Sequence, residues 1–296
     1  MTERIRDAFY TAKPVSFISM LEILQHSFFT NALLIGVLSG IACGVIGTFV
    51  VVKKISFISG SIAHASFGGI GMAHFFGWNP VLGAAVFSIL SALGIGTVNR
   101  KNKRQEDASI GAIWAIGMAV GLVFIFFTPG YAADLFTYLF GNILLSTATD
   151  VWYILALDAV IIISIAFLFK WLVAMIFDEE FATVTNMPVF PLYLFFLVLV
   201  ALSIVILIRS VGVILVIALL TLPASGAQLM SKKFTHIIGI AIALAILANL
   251  SGIILSYYLN VPTGPLIILI AAATYLLILG TKRFLIRPSR NVVGRK

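Results

Sequence analysis

Two long stretches of this chain carry no Asp, Glu, Lys or Arg: one between Lys54 and Arg100, the other between Lys233 and Lys282. A helix crosses the ~30 Å hydrocarbon layer with ~20 apolar residues, so each stretch has room for two crossings and a turn. Breakers sit where the turns belong: Gly77, Trp78, Asn79 and Pro80 divide the first stretch, and Asn260, Val261, Pro262, Thr263, Gly264 and Pro265 divide the second. Across all 296 residues, 61% are hydrophobic and only 10% are charged. A water-soluble surface needs about twice that charge. The chain reads as an all-α integral membrane protein, a polytopic bundle of eight to nine transmembrane helices.

Nine spans are predicted: 27–51, 58–77, 81–98, 108–128, 151–173, 190–208, 211–230, 236–258 and 264–281. The seventh is squeezed between Arg209 and Lys232 and broken by Pro223. The apolar segment 134–149 is too short to span and is expected to be re-entrant or interfacial. The net charge of +8 would suggest nucleic acid in a soluble protein; here the basic residues sit in short loops and report topology instead, so no nucleic-acid partner is expected. With Lys53 and Lys54 in the cytoplasm and sides alternating, only Arg4, Arg6, Lys13 and Arg209 of the 19 Lys and Arg fall outside, against 15 inside. The N-terminus is therefore expected outside and the C-terminus inside. Residues 1–26 are predicted to be an extracytoplasmic or interfacial segment without a signal sequence, 27–283 the membrane domain, and 284–296 a basic cytoplasmic tail.

No GxxxxGK[ST] loop is present to cradle phosphates, and the largest polar loops are far too short to hold an ATPase domain. HExxH and G-x-S-x-G are also absent, which opposes an intramembrane enzyme. The one cysteine, Cys43, excludes a disulfide within the chain and a Cys-built metal cage.

Several residues stand out chemically. Phe177, Asp178, Glu179, Glu180, Phe181 and Ala182 form the one acidic cluster. A short helix over 177–187 would place Phe177 and Phe181 on one face and the acids in its first turn, where the helix dipole favours them. Such a helix suits a groove on a soluble partner; an ordinary interfacial loop is the plainer alternative. His64 lies in the second span among Ser61, Ala63, Ala65, Ser66, Gly68 and Gly69. Imidazole in a span usually faces the bundle interior, where it packs, hydrogen-bonds or binds a metal. Asp158 is the one carboxylate well inside a span, expected a turn or two below the outer face. Asp134 and Asp150 flank the 134–149 segment outside, where they would meet a cation, a partner or solvent. Gly36, Gly40 and Gly44 share one helix face, which permits close helix contact, dimerisation included. Pro223 within a span frees a backbone carbonyl, in a kinked packing helix or beside a pore.

In order along residues 30–280, these pieces resemble the membrane permease of zinc/manganese ABC uptake transporters, the metal ABC-3 permease family. Lys53, Lys54, Ile55, Ser56, Phe57 and Ile58 running into Ala63, His64 and Ala65 resemble one motif. Ala108, Ser109, Ile110 and Gly111 resemble a helix start. Asp134, Leu135, Tyr138, Leu139, Phe140, Gly141 and Leu144 are similar to a third segment, and Phe177, Asp178, Phe181 and Ala182 to a coupling helix. Gly212, Leu215, Leu219, Leu220, Leu222, Pro223 and Ala224 resemble a fifth motif; Ser256, Tyr257, Tyr258, Val261, Pro262, Thr263 and Gly264 a sixth. Two acids of the family pattern are replaced, by Gly60 and Asn142, so His64 corresponds to a metal-path residue without its usual carboxylate.

The resemblance implies a homodimeric permease in a prokaryotic cytoplasmic membrane, served by two cytoplasmic ABC ATPase subunits and an extracytoplasmic metal-binding protein. It would perform no chemistry and hold no permanent cofactor; zinc or manganese would pass transiently along weak ligands, with His64 and Asp158 on the path. The competing expectation is an ATPase-independent secondary transporter or channel for a cation or small solute.

Overall fold

The computed structural model describes residues 25–101, 106–128, 141 and 143–285. Among the described residues nine long helices follow one another: α1 (Ser27–Val52), α2 (Ser56–Phe75), α3 (Pro80–Lys101), α4 (Glu106–Phe126), α5 (Ala148–Phe177), then, after the short α6 (Glu179–Val184), α7 (Val189–Val211), α8 (Val213–Met230), α9 (Phe234–Leu259) and α10 (Thr263–Leu285). A 3-10 turn at Ile143–Leu145 precedes α5. Each predicted span falls on one long helix. Seven are long and apolar enough to cross a membrane. The remaining two are α2, diluted by Ser, Gly and His, and α8, whose 18 residues enclose Pro223.

The turns follow local chemistry. Gly212 joins α7 to α8 at φ 85 and ψ 156, a conformation essentially reserved for glycine. Asn260 closes α9 in the left-handed region at φ 54, which Asn tolerates, and Pro262 follows to stop the helix. Thr147 and Asp150 start α5 with a capping box: the Thr147 amide and hydroxyl donate to Asp150 Oδ2 at 2.9 and 2.8 Å, and the Asp150 amide donates to Thr147 Oγ1 at 3.4 Å.

α1 lies at the centre, packed against α9, α8 and α5, with α7 also largely buried; α4, α5 and α10 form the rim. Along α5, Trp152, Val160, Ile163, Phe167 and Trp171 are exposed. A face this apolar belongs against lipid or another protein, not water. In lipid there is little hydrophobic force between helices, so packing and interhelical hydrogen bonds must hold them. The glycine stripe of α1 serves that need within the chain. A Cβ at Gly36 would stand 2.8 Å from Ile253 Cδ1, one at Gly40 2.7 Å from Ile246 Cγ1, and one at Gly44 2.5 Å from Ile242 Cα. Asn249 of α9 crosses the seam and donates to the Gly36 carbonyl at 2.7 Å and to Ser39 Oγ at 3.1 Å. Of the close helix contacts that the spacing of Gly36, Gly40 and Gly44 permits, the structure shows one within the chain, with α9.

Gly44→Val should lower the melting temperature in detergent, with a loss of about 1–3 kcal/mol for overpacking a closed seam. Gly111→Ala, whose Cβ would meet nothing within 4 Å, should melt at or above the wild-type temperature. Equal melting of the two variants would contradict the α1–α9 seam.

Candidate functional site

A second small-residue seam joins α2 to α4. A Cβ at Gly117 would stand 2.5 Å from Ala65 Cα, one at Gly121 2.6 Å from the Phe67 carbonyl, and one at Gly68 2.7 Å from the Gly117 carbonyl. Ser61 Oγ donates to the Ile110 carbonyl at 2.8 Å along the same line. Backbones this close leave the larger side chains to settle at the flanks of the seam. His64, half-buried, lies flat on Trp114 of α4, ring centroids 4.2 Å apart and planes inclined by 8°. Its Nδ1 is 3.3 Å from Met118 Sδ. Trp114 and Met118 are four apart and share a face of α4. Both escaped the sequence reading, although Gly117 and Gly121 between and beyond them carry the spacing that announces a helix contact. Gly60, one turn before His64, has only Ile217 Cδ1 within reach, at 3.7 Å from a would-be Cβ. Space for a side chain is present where the carboxylate is not.

The remaining predicted residues divide. Asp158 is 3% exposed, and neither carboxylate oxygen has a hydrogen-bond partner among the described residues. Because α5 begins at Ala148, Asp158 lies roughly 15 Å along it at 1.5 Å per residue. Its electrostatic neighbour is Cys43 of α1. α5 packs on α1 and α7, whereas α2 packs on α4 and α3, so His64 and Asp158 are not brought to one site. Among the described residues no three His, Cys, Asp or Glu gather to hold a metal. Asp150 is 8% exposed and taken up in the α5 cap. Asp134 and Asn142 lie outside the described residues. Pro223 is buried inside α8.

At the other end of α5, the acidic cluster folds differently from the predicted single helix. Phe177 ends α5. Asp178, at φ −148 and ψ 89, breaks the chain and N-caps α6, its carboxylate accepting from the Phe181 amide at 2.8 Å. Phe177 and Phe181 are thus on successive helices, not one face, because Asp178 competes for the backbone as a cap residue does. Both remain exposed, at 62% and 57%, while Ala182 is buried. Phe177 meets Phe234 edge-on at 5.6 Å. Glu179 faces the membrane domain: Lys53 Nζ donates to its carboxylate at 3.0 Å and to the Met175 carbonyl at 3.2 Å. Glu180 is exposed. Beside this corner lies a cavity of about 780 Å³ lined by Lys53, Lys54, Arg100, Glu179 and Phe190, with the Arg100 guanidinium 4.2 Å above the Phe190 ring.

Lys53 ties the α1–α2 corner to the α5–α6 corner. Because Glu179 is half in solvent, the ion pair should couple by about 0.5–1 kcal/mol. A double-mutant cycle of Lys53→Met and Glu179→Gln, read by thermal unfolding, should return that coupling; strictly additive losses would refute the tie.

These geometries accompany clear kinship. The model of the ABC 3 transport family matches residues 25–282. A membrane protein of Synechocystis is 41% identical over 265 residues, 90% of this chain and 94% of its own. The manganese transport system membrane protein MntC of Listeria monocytogenes is 31% identical, covering 93% of this chain and 96% of its own. The solved structure of PsaBC from Streptococcus pneumoniae in complex with a Fab superposes with a TM-score of 0.83 at 30% identity, covering 91% of this chain and 99% of that one. With the family model matching most of its length and its relatives being transport-system membrane proteins, the chain is a membrane permease and not an enzyme, and it belongs to the ABC 3 transport family.

Proposed function

We propose that the chain is the permease of an ATP-driven importer for divalent transition-metal ions, zinc or manganese. In this reading two copies form the passage, two cytoplasmic ABC ATPase subunits dock beneath them, and an extracytoplasmic metal-binding protein delivers the ion. The assembly sits in a prokaryotic cytoplasmic membrane with the N-terminus of the chain outside and the C-terminus inside. One observation carries the docking step. α6 is a capped single turn, held to the membrane domain through Lys53 and buried Ala182, that leaves the Phe181 ring exposed beyond the last turn of α5. An exposed aromatic on a rigid stub fits a partner's groove better than it fits water. It has no purpose in a channel that works alone.

ATP-driven closure of the ATPases would move α6, and Lys53 would pass that movement to the corner from which α2 starts. α2 bears His64, the residue matching the family's metal path. The passage needs weak stations, since a tightly held ion would not leave. The metal is cargo, and no permanent cofactor is required.

The test is ATP hydrolysis by the complete assembly in proteoliposomes, with the binding protein and zinc or manganese supplied. Phe181→Asp would bury a charge in an apolar groove. Stimulated hydrolysis should fall at least about tenfold, which requires only ~1.4 kcal/mol of lost docking, while the variant melts as the wild type does. Undiminished stimulation would overturn the docking role.

Orientation has its own measurement. In a Cys43→Ala background, Lys232→Cys should react with an impermeant thiol reagent from the cytoplasmic side alone, and Pro262→Cys from outside alone. Labelling of position 232 from outside would reverse the assignment of α8 as a crossing.

A further inference from the structure

Met118 has no part in the family resemblance, yet its thioether is the polar neighbour of the His64 imidazole. Resting on the metal-path reading of His64, we propose that Met118 is a second ligand to the transported ion, so that α2 and α4 present an imidazole–thioether pair that accepts Zn²⁺ in preference to Mn²⁺.

The separation fits a shared ion. With nitrogen about 2.05 Å from the ion and the thioether sulfur a little beyond the roughly 2.3 Å of a zinc–thiolate bond, an angle of about 100–110° holds the two donor atoms roughly 3.4–3.7 Å apart. Nδ1 and Sδ already stand 3.3 Å apart. An ion can therefore enter between them with little movement of either helix. Neutral imidazole has one protonated and one bare nitrogen. With the proton on Nε2, the Nδ1 lone pair faces the sulfur, and two lone pairs aimed at one point repel until a cation lies between them. With the proton on Nδ1, the pair is a weak hydrogen bond that an arriving ion replaces.

The ring cannot easily turn away. Trp114 lies parallel to it at 4.2 Å, and the α2–α4 backbones are locked by Gly117 and Gly121 on either side of Met118. Meanwhile the sulfur sits on an unbranched side chain with three rotatable bonds, able to follow the ion as it leaves.

The donor set decides the preference. Manganese favours carboxylate, carbonyl and water oxygen; imidazole suits zinc, and thioether sulfur suits soft and borderline ions. The helical turn before His64 offers Gly60, not a carboxylate. Asp158 faces α1 from another helix, so it does not supply the missing oxygen.

The proposal is tested by zinc K-edge X-ray absorption on the purified full chain loaded with one equivalent of Zn²⁺, in the Cys43→Ala background that removes the thiol. A sulfur scatterer a little beyond roughly 2.3 Å is expected, replaced by selenium when the chain is labelled with selenomethionine, and absent in Met118→Leu. Zn²⁺ affinity should fall about tenfold in Met118→Leu, while Mn²⁺ affinity is unchanged. Met118→Asp should shift the ratio of Zn²⁺ to Mn²⁺ affinity at least tenfold towards manganese. A zinc shell without sulfur or selenium, or equal Zn²⁺ affinity in the wild type and Met118→Leu, overturns the proposal. The selenium measurement keeps it falsifiable should the Leu variant not fold, because the labelled chain has the native sequence. Loss of ATP-driven uptake in the complete assembly would bear on the permease reading alone, since the absorption edge reads the site without partners.

Discussion

The structure depends on backbone contact between helices at glycine. Several seams do this, α1 with α9 and α2 with α4 among them, and these two place backbone atoms where a larger residue would collide. In lipid such contact is what remains to hold a bundle once hydrophobic burial no longer separates packed from unpacked helices. Each of these two seams is stitched by a polar group that would be costly if left bare: Asn249 to Gly36 and Ser39 in the first, Ser61 to the Ile110 carbonyl in the second. The site inherits its geometry from the second seam. His64, Trp114 and Met118 meet because Gly117 lets their helices approach that closely.

The acidic residues show how one residue type serves opposite ends. Asp150 and Asp178 are helix caps whose carboxylates accept backbone amides. Glu179 is a tether, held by a lysine from the α1–α2 corner. Exposed pairs of this kind contribute little stability. The importance of this one lies in placement, for Lys53 donates to the Met175 carbonyl in the last turn of α5 as well as to Glu179 and sits at the entrance to α2. Near it Phe49, Phe169, Phe196 and Phe234 interlock, with Phe49 and Phe234 centroids 4.9 Å apart.

Much of the fold was legible in the chain. Charge-free runs, Gly77 to Pro80, Asn260 to Pro265 and the interior Pro223 located helices and turns, because membrane helices satisfy their backbone locally and must be apolar for a known length. Asp178 was harder to read. As a helical residue it would have put Phe177 and Phe181 on one face; as a cap it divides them, and the two roles differ in the backbone conformation of one residue. Asp150 looked available for the same reason that a cap always does, since its partner, Thr147, has no charge to reveal the pairing.

By itself the sequence determined that the chain lies in a membrane, roughly where its long helices run, and which short segments resemble a transport family, since length, apolarity and breakers act within one stretch of chain. The tertiary structure alone decided which helix fills the Gly36–Gly40–Gly44 face, that Asp158 lies against α1 and away from His64, and that Met118 stands beside the imidazole. Those are relations between helices. Spacing along one helix shows that a close contact is possible, while the choice of partner comes from fitting every helix of the bundle at once, which no local pattern encodes.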